Sequence, residues 1–389
     1  MEIFSKILAI KGFKVIHVEA DNTTLSLSLE CEADHGICPH CGVSSQQVRV
    51  WYPRLVRDLS ISGKACYLVF ETRYFDCSRC HTTFAEPLDF VEAKRDYTKR
   101  YETHIFEQVR QTTATYVAER EGLTDKVVTR IFLRQAKNRL PKEPFKGVKR
   151  LGIDEIAERK GRNAYDLVLY NLDSGKPLDV LENRTQAELM AYLDQLPLEF
   201  TRGIEEVCID MWRPYATAIA EKLSHAKLVT DRFHVMKVVN QELNALKNTL
   251  KKDLPDEAKA CHYPLLKNEA DLTDKQKMIL EKVYDASPEL KEAHQLKEAF
   301  RNIFDTEHTV DQGGQELQHW IDNAEKAGLF SEAVKTIKNW FHSIVNYFHH
   351  RTTNGPAEGI NNKIKVIKRM AYGFRNFANF RLRILAAFL

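Results

Sequence analysis

The chain has 389 residues, a formal net charge of +3 and 43% hydrophobic residues, the make-up of a soluble globular protein long enough for two or three domains. Bulk charge does not mark a nucleic-acid binder, although the basic excess is local. No apolar run reaches the ~20 residues that span a bilayer and no signal-peptide pattern is present, so a cytoplasmic protein with no membrane partner is expected.

Residues 12–90 read as β-rich: "TTLSLSLE" alternates with period 2, and "KACYLVFETRYFDC" is rich in β-branched and aromatic residues. Four of the eight cysteines fall here in two Cys-x-x-Cys pairs, Cys38/Cys41 and Cys77/Cys80, with 35 residues between the inner two. In a reducing compartment that spacing points to a closed tetrahedral Zn²⁺ site of structural character rather than to disulfides. His40 and His81, beside the cysteines, are the alternative ligands. The ribbon's partner, DNA or protein, stays open.

From Tyr97 the period becomes helical. In "TTATYVAEREGLTDKVVTRIFLRQAKNRL" one amphipathic helix ends near Gly122 and Thr124 or Asp125 caps the next. The second helix has Val127 and Ile131 on its expected inner side and Lys126, Thr129, Arg130 and Arg134 on its polar side. That is helix-turn-helix grammar, and a recognition helix reads the major groove with its N-terminal residues; the plainer alternative is a helical hairpin. Residues 1–92 are expected as a zinc-ribbon domain, 95–140 as a helix-turn-helix domain and 141–150 as a linker.

An α/β pattern follows. "RLGID" and "EVCID" read as strands ending in Asp154 and Asp210, "AYDLVLYNLDSGKPLDVLE" as a hairpin turning at Asp173–Gly175, and "AKLVTDRFH" as a further strand running into Asp231 and His234. From about 235 to 350 the signals are almost all helical. The stretch "NGPAEGINNKIKVIKRMAYGFRNFANFRLRI" is basic apart from one acid, Glu358. A helix starting near Pro356 places Glu358 on one face with Asn362, Lys365 and Arg369, and turns Ile360, Ile364 and Ile367 inward. An acid in the first helical turn is also a plain helix-dipole partner. Two aspartates emerging from one small sheet, with a third acid available, suit Mg²⁺, which neutralises their repulsion and keeps sites for phosphate oxygens. Glu155 is expected to point away from the metals. Trp212 and Arg213 either contact DNA or pack.

"LGIDE", "IDMWRPY", "DRFHV" and the C-terminal basic stretch, in the order ribbon, helix-turn-helix, acids, resemble the bacterial insertion-sequence transposases of the ISL-three group over nearly the whole chain. The resemblance implies a multidomain α+β protein whose residues 151–389 form an RNase H-like α/β core interrupted by an all-helical insertion at about 240–335. It implies a DDE triad at Asp154, Asp210 and Glu358, holding two Mg²⁺ ions (or Mn²⁺), with Asp231 and His234 as auxiliary residues. Double-stranded DNA is then the partner, both terminal inverted repeats and target, met by the recognition helix and by Asn362, Lys365, Lys368, Arg369 and Arg375. Water cleaves the element end and the freed 3′-hydroxyl attacks target DNA. A homodimer or larger assembly on DNA, at the nucleoid, goes with that activity. Two other functions share these motifs: a domesticated or regulatory DNA-binding protein without chemistry, and a nuclease that cuts without joining.

Overall fold

The computed structural model describes residues 1–157, 165–252, 254–371 and 376–389. It divides into two compact units, residues 1–140 with Leu389, and residues 141–388.

The first unit opens with α1 (Glu2–Leu8) and strands β1 (Phe13–Ala20), β2 (Thr24–Cys31), β3 (Gly36–Ile37), β4 (Ser44–Ser45), β5 (Val48–Ile61), β6 (Lys64–Asp76) and β7 (Thr83–Ala85). The main sheet runs β1-β2-β6-β5, with β7 added to β6. The alternation in "TLSLSLEC" sends Leu25, Leu27 and Leu29 into a core shared with Val56, Cys66, Leu68 and Phe70. Between β5 and β6 lie only Ser62 and Gly63, at φ 49° and 77°, the positive pair that lets a two-residue turn follow the strand twist.

The two Cys-x-x-Cys turns meet at the far end of this sheet. The four sulfurs lie within 4.8 Å of one another, Cys38 Sγ 3.6 Å from Cys80 Sγ and Cys41 Sγ 3.4 Å from Cys77 Sγ. No disulfide links them. A tetrahedral Zn–S₄ site with ~2.3 Å bonds separates its sulfurs by about 3.8 Å, so these four thiols fit a structural zinc ion. His40 and His81 are exposed and stand outside the four-sulfur set. Phe75 and Phe84 stack beneath it at 5.7 Å.

Helices α2 (Lys99–Gln111), α3 (Ala114–Glu121) and α4 (Asp125–Arg139) complete the unit. Gly122 closes α3 at φ 66°, and the Thr124 hydroxyl caps α4 by accepting from Val127 N–H. One expected detail changes: Val128, not Val127, is the fully buried valine of α4, in step with Ile131 and Phe132. A second change concerns Arg134. Its guanidinium pairs with buried Glu102 of α2, which also accepts from Gln135 at 2.9 Å, so Arg134 is held in the three-helix packing. The loop before α2 is pinned as well, since buried Asp58 accepts from Thr98 Oγ1 and Arg100 Nε at 2.7 Å. Ribbon and helices thus form one compact unit.

The second unit contains β8 (Arg150–Ala157), β9 (Tyr165–Asn171), β10 (Lys176–Leu181), α5 (Gln186–Gln195), α6 (Leu198–Arg202), β11 (Glu206–Ile209), α7 (Arg213–Lys222), β12 (Lys227–Thr230) and α8 (Arg232–Leu250). Seven helices follow: α9 (His262–Leu266), α10 (Asp274–Ala286), α11 (Pro288–Asp305), α12 (Val310–Ala327), α13 (Ser331–Asn339), α14 (Phe341–Val345) and α15 (Tyr347–His350). The chain ends with α16 (Gly355–Met370) and α17 (Phe377–Ala386). Sheet order is β10-β9-β8-β11-β12, with β8, β9 and β10 antiparallel and β11 and β12 parallel to β8. Leu151, Ile153, Leu167 and Leu169 face the core that the connecting and inserted helices share. Ile156, Val168, Tyr170 and Val180 face Ala357, Ile360 and Ile364 of α16 and Phe380 and Ile384 of α17. Residues 141–150, expected as a linker, belong to this unit: Phe145 and Val148 are buried in its core. No helix among the described residues is long and apolar enough to cross a membrane.

Two outcomes are expected. Purified protein should carry about one equivalent of zinc, and Cys38→Ser with Cys77→Ser should remove it and lower the melting temperature; unchanged metal content would rule out the thiol site. Arg134→Ala should destabilise the fold by ~1–3 kcal/mol in denaturant unfolding, because it strips a partner from buried Glu102, whereas Lys126→Ala on the exposed face of α4 should leave stability unchanged.

Candidate active site

Alternation along β8 separates two adjacent acids. Asp154 faces α16, and Glu155 faces the opposite way, where it accepts from Arg184 and from the Tyr215 hydroxyl, each at 2.8 Å. Asp154 does not end its strand: β8 continues to Ala157 and pairs there with β9. It is β11 that stops short. The parallel register pairs Gly152 with Cys208 and Ile209 with Thr230. Carried forward two residues on β8 and one on β12, that register sets Asp154, Asp210 and Asp231 level on three adjacent strands.

Each carboxylate has a distinct environment. Asp154 Oδ1 accepts from Glu155 N–H and Oδ2 from the Asn361 amide of α16, both at 2.7 Å. Asn361 is buried, and its own carbonyl accepts from the fully buried Tyr170 hydroxyl. Burial, with the Asp210 charge nearby, pushes the Asp154 carboxyl up to about 6. Asp231 is buried and saturated: Oδ1 accepts from Thr353 Oγ1 at 2.7 Å and Asn354 N–H at 3.0 Å, and Oδ2 lies 3.3 Å from His234 Nδ1. Burial opposes its ionisation, but these donors outweigh burial and hold its carboxyl below the usual range. Asp210 Oδ1 approaches His234 Nδ1 to 2.8 Å without hydrogen-bond geometry, and is a buried oxygen with no hydrogen-bond donor. Burial disfavours a charged His234 ring, yet the Asp210 and Asp231 carboxylates overcome it and push the imidazole up to about 9.

Asp210, Asp231 and His234 place ligand atoms within 4.8 Å of one another. Oxygen-preferring Mg²⁺ would take carboxylate oxygens of Asp210 and the remaining lone pairs of Asp154, not the imidazole. Glu358 stands apart from that group. It is exposed in the first turn of α16, three residues before Asn361, so it lies one helical turn from the side chain that touches Asp154. On α16, Asn362, Lys365 and Arg369 are exposed and Lys368 half-buried, while Ile360, Ile364 and Ile367 are buried. Arg375 lies outside the described residues. Trp212 is exposed; Arg213 donates to Asn339 O at 2.8 Å and covers the Trp340 ring.

Several residues that build this site escape the sequence reading. Asn361 and Tyr170 look like an ordinary helix amide and an ordinary strand aromatic. Thr353 and Asn354 precede the helix and read as a turn. Gly152 leaves room for Asn354: a Cβ there would lie 2.8 Å from Asn354 Oδ1 and 2.7 Å from Leu172 Cδ2. The available signal is local, since Asn361 sits one turn after Glu358 between two core isoleucines.

Comparison with known proteins covers all of these elements. Residues 34–80 match the zinc-finger of the transposases IS204/IS1001/IS1096/IS1165, and residues 86–136 match the helix-turn-helix domain of transposase family ISL3. The chain is 27% identical over 390 residues to the transposase for insertion sequence element IS1001 of Bordetella parapertussis, covering 97% of this chain and 96% of that protein. It is 27% identical over 261 residues to the transposase for element IS1557 of Mycobacterium tuberculosis, covering 60% of this chain and 58% of that one. A 119-residue stretch is 34% identical to a Lactococcus lactis protein named ATP-dependent protease, over 31% of this chain and 36% of that one; the sequence holds no glycine-rich phosphate loop to go with such a name. Residues 151–384 match the ISL3 transposase domain itself. That one match spans Asp154, Asp210, Asp231, His234 and Glu358, and with the ribbon and helix-turn-helix before it the chain belongs to transposase family ISL3.

Proposed function

We propose that this DNA transposase works through an RNase H-like core in which Asp154, Asp210 and Glu358 form the acid triad, acting on the terminal inverted repeats of its own element and on target DNA. The observation that carries the reading is the shared level of Asp154 and Asp210 on neighbouring strands, with the helix of Glu358 fastened to Asp154 through Asn361. The strand order β10-β9-β8-β11-β12, with parallel strands on one side of β8 and antiparallel strands on the other, supports the core assignment. The helices between β12 and α16 are then the insertion.

Two divalent ions, Mg²⁺ or Mn²⁺, would supply charge neutralisation at the scissile phosphate and make water and a 3′-hydroxyl competent nucleophiles. The chain's own residues prepare that chemistry. Asn361 and the Glu155 amide fix the Asp154 carboxylate, and Asp231 orients the His234 ring beside Asp210. The His234 ring, held beside Asp231, can donate to a phosphate or leaving oxygen. Glu358, one turn from Asn361 on α16, is the third acid of the reading. The exposed cations Lys365 and Arg369 continue the same helix as phosphate contacts, with Asn362 and Lys368 on that helix; Arg375, outside the described residues, is the remaining basic contact of the reading. Bringing two element ends together calls for at least two copies of the chain on DNA.

Asp154→Asn, Asp210→Asn and Glu358→Gln should each abolish cleavage of element-end duplexes while end binding survives, since members of a cooperative site fail singly. Near-normal cleavage by Glu358→Gln would return that residue to the helix-dipole role. His234→Ala should slow cleavage or joining about 10- to 150-fold, the cost of one lost hydrogen bond to a charged group, with zinc content unchanged. In metal-free protein the raised His234 pKa contributes stability that is complete below ~6.5 and is lost as pH climbs through about 9. Melting temperature should therefore fall across that window, and less so in His234→Ala. Gly152→Ala should displace Asn354 and reduce both stability, by ~1–3 kcal/mol, and cleavage.

A further inference from the structure

The acid cluster is not the only preorganised place for phosphate. In the first unit, a cavity of about 120 Å³ lies between the loop preceding α2 and α4, lined by Lys94, Arg95, Asp96 and Tyr97 of the loop and by Arg130, buried Ile131 and Arg134 of the helix. Arg134 is engaged by Glu102, so the cationic charge available to a guest comes from Lys94, Arg95 and Arg130. Asp96 is exposed and offsets one of the three. The net charge and the small volume suit one tetrahedral dianion or one backbone phosphate rather than a base or a peptide.

The backbone of the loop wall is tied down before anything enters. The loop is tied to β5 on both sides of Tyr97: Arg57 N–H donates to Asp96 O at 2.8 Å and Thr98 N–H to Arg57 O at 2.9 Å. The Arg54 guanidinium holds the Arg95 carbonyl, and Lys99 N–H donates to Phe90 O at 2.9 Å. Lys94 keeps a left-handed backbone at φ 58°, an uncommon state for a residue with a side chain. The other wall is α4, packed on α2 through Phe132, which stacks on Phe106 at 5.4 Å.

We propose that this cavity is a phosphate subsite in which Lys94 and Arg95 of the loop and Arg130 of α4 together grip one phosphate of the DNA backbone. The subsite rests on the helix-turn-helix reading and sharpens it: Arg130 positions the recognition helix and does not read a base. A phosphate contact carries no sequence information, and its loss weakens all sequences alike. Because the three cations share one phosphate, removing all of them should cost the slope of a single contact, not three.

The test compares full-length wild type with Arg130→Ala and with the triple variant Lys94→Ala/Arg95→Ala/Arg130→Ala. Binding is measured on an element-end duplex and on a scrambled duplex across a salt series, and thermal stability is measured against inorganic phosphate. The expected result is an equal factor of weakening on both duplexes. The slope of log K against log salt should be shallower by ~0.9 in the triple variant, and phosphate should stabilise only the proteins that keep the cations. Weakening confined to the element-end duplex would make Arg130 a base reader and overturn the subsite. So would an equal phosphate effect on wild type and triple variant. Wild type that shows no preference for the element end would count against helix-turn-helix recognition, while the phosphate titration would still judge the cavity.

Discussion

Three carboxylates set level on adjacent strands repel one another, and much of the second unit answers that repulsion. Each acid is met by a different device. Asp231 is neutralised in place by donors from the segment before α16 and by His234. Asp154 is braced by Asn361 and carries a pKa displaced upward by burial and by Asp210. Asp210 faces the His234 ring at 2.8 Å as an ion pair and has no other donor on that oxygen. In the proposed mechanism a divalent cation would relieve the repulsion that remains between Asp154 and Asp210.

α16 serves two surfaces at once. Its apolar stripe joins the sheet core through Ile360 and Ile364, its exposed stripe carries Lys365 and Arg369, and Asn361 sits at the boundary. The position of Glu358 is therefore set by core packing, not by a mobile loop. Not every cation of the C-terminal stretch is available to DNA. The Arg381 guanidinium is taken by buried Asp179, which also accepts from Tyr192 at 2.6 Å, and Arg383 is itself buried.

What could be read from sequence followed from periodicity and paired spacing. The cysteine turns, the Gly122 helix stop, the hairpin at Gly175 and the isoleucine stripe of α16 are local patterns, and local forces decide them. Register is not local. "RLGID" and "EVCID" look alike, yet Asp154 lies inside a strand of eight residues and Asp210 just beyond one of four; only pairing tells them apart. Val127 and Val128 are neighbours, and the choice of the buried one depends on the phase at which α4 meets α2. Arg134 could not be told from Arg130, because its partner Glu102 lies 32 residues away.

The hydrogen bond from Asn361 to Asp154 joins residues 207 positions apart. Almost the whole second unit, with its inserted helices, must be made before that bond can close, and the entropy of so large a loop is offset only when α16 docks on the sheet. The strands can pair and the inserted helices can form earlier from nearer neighbours. The bracing of Asp154 is thus among the last contacts available to a chain emerging from synthesis. A fragment lacking the final helices would keep Asp154 and Asp210 but lose the amide that holds the first of them.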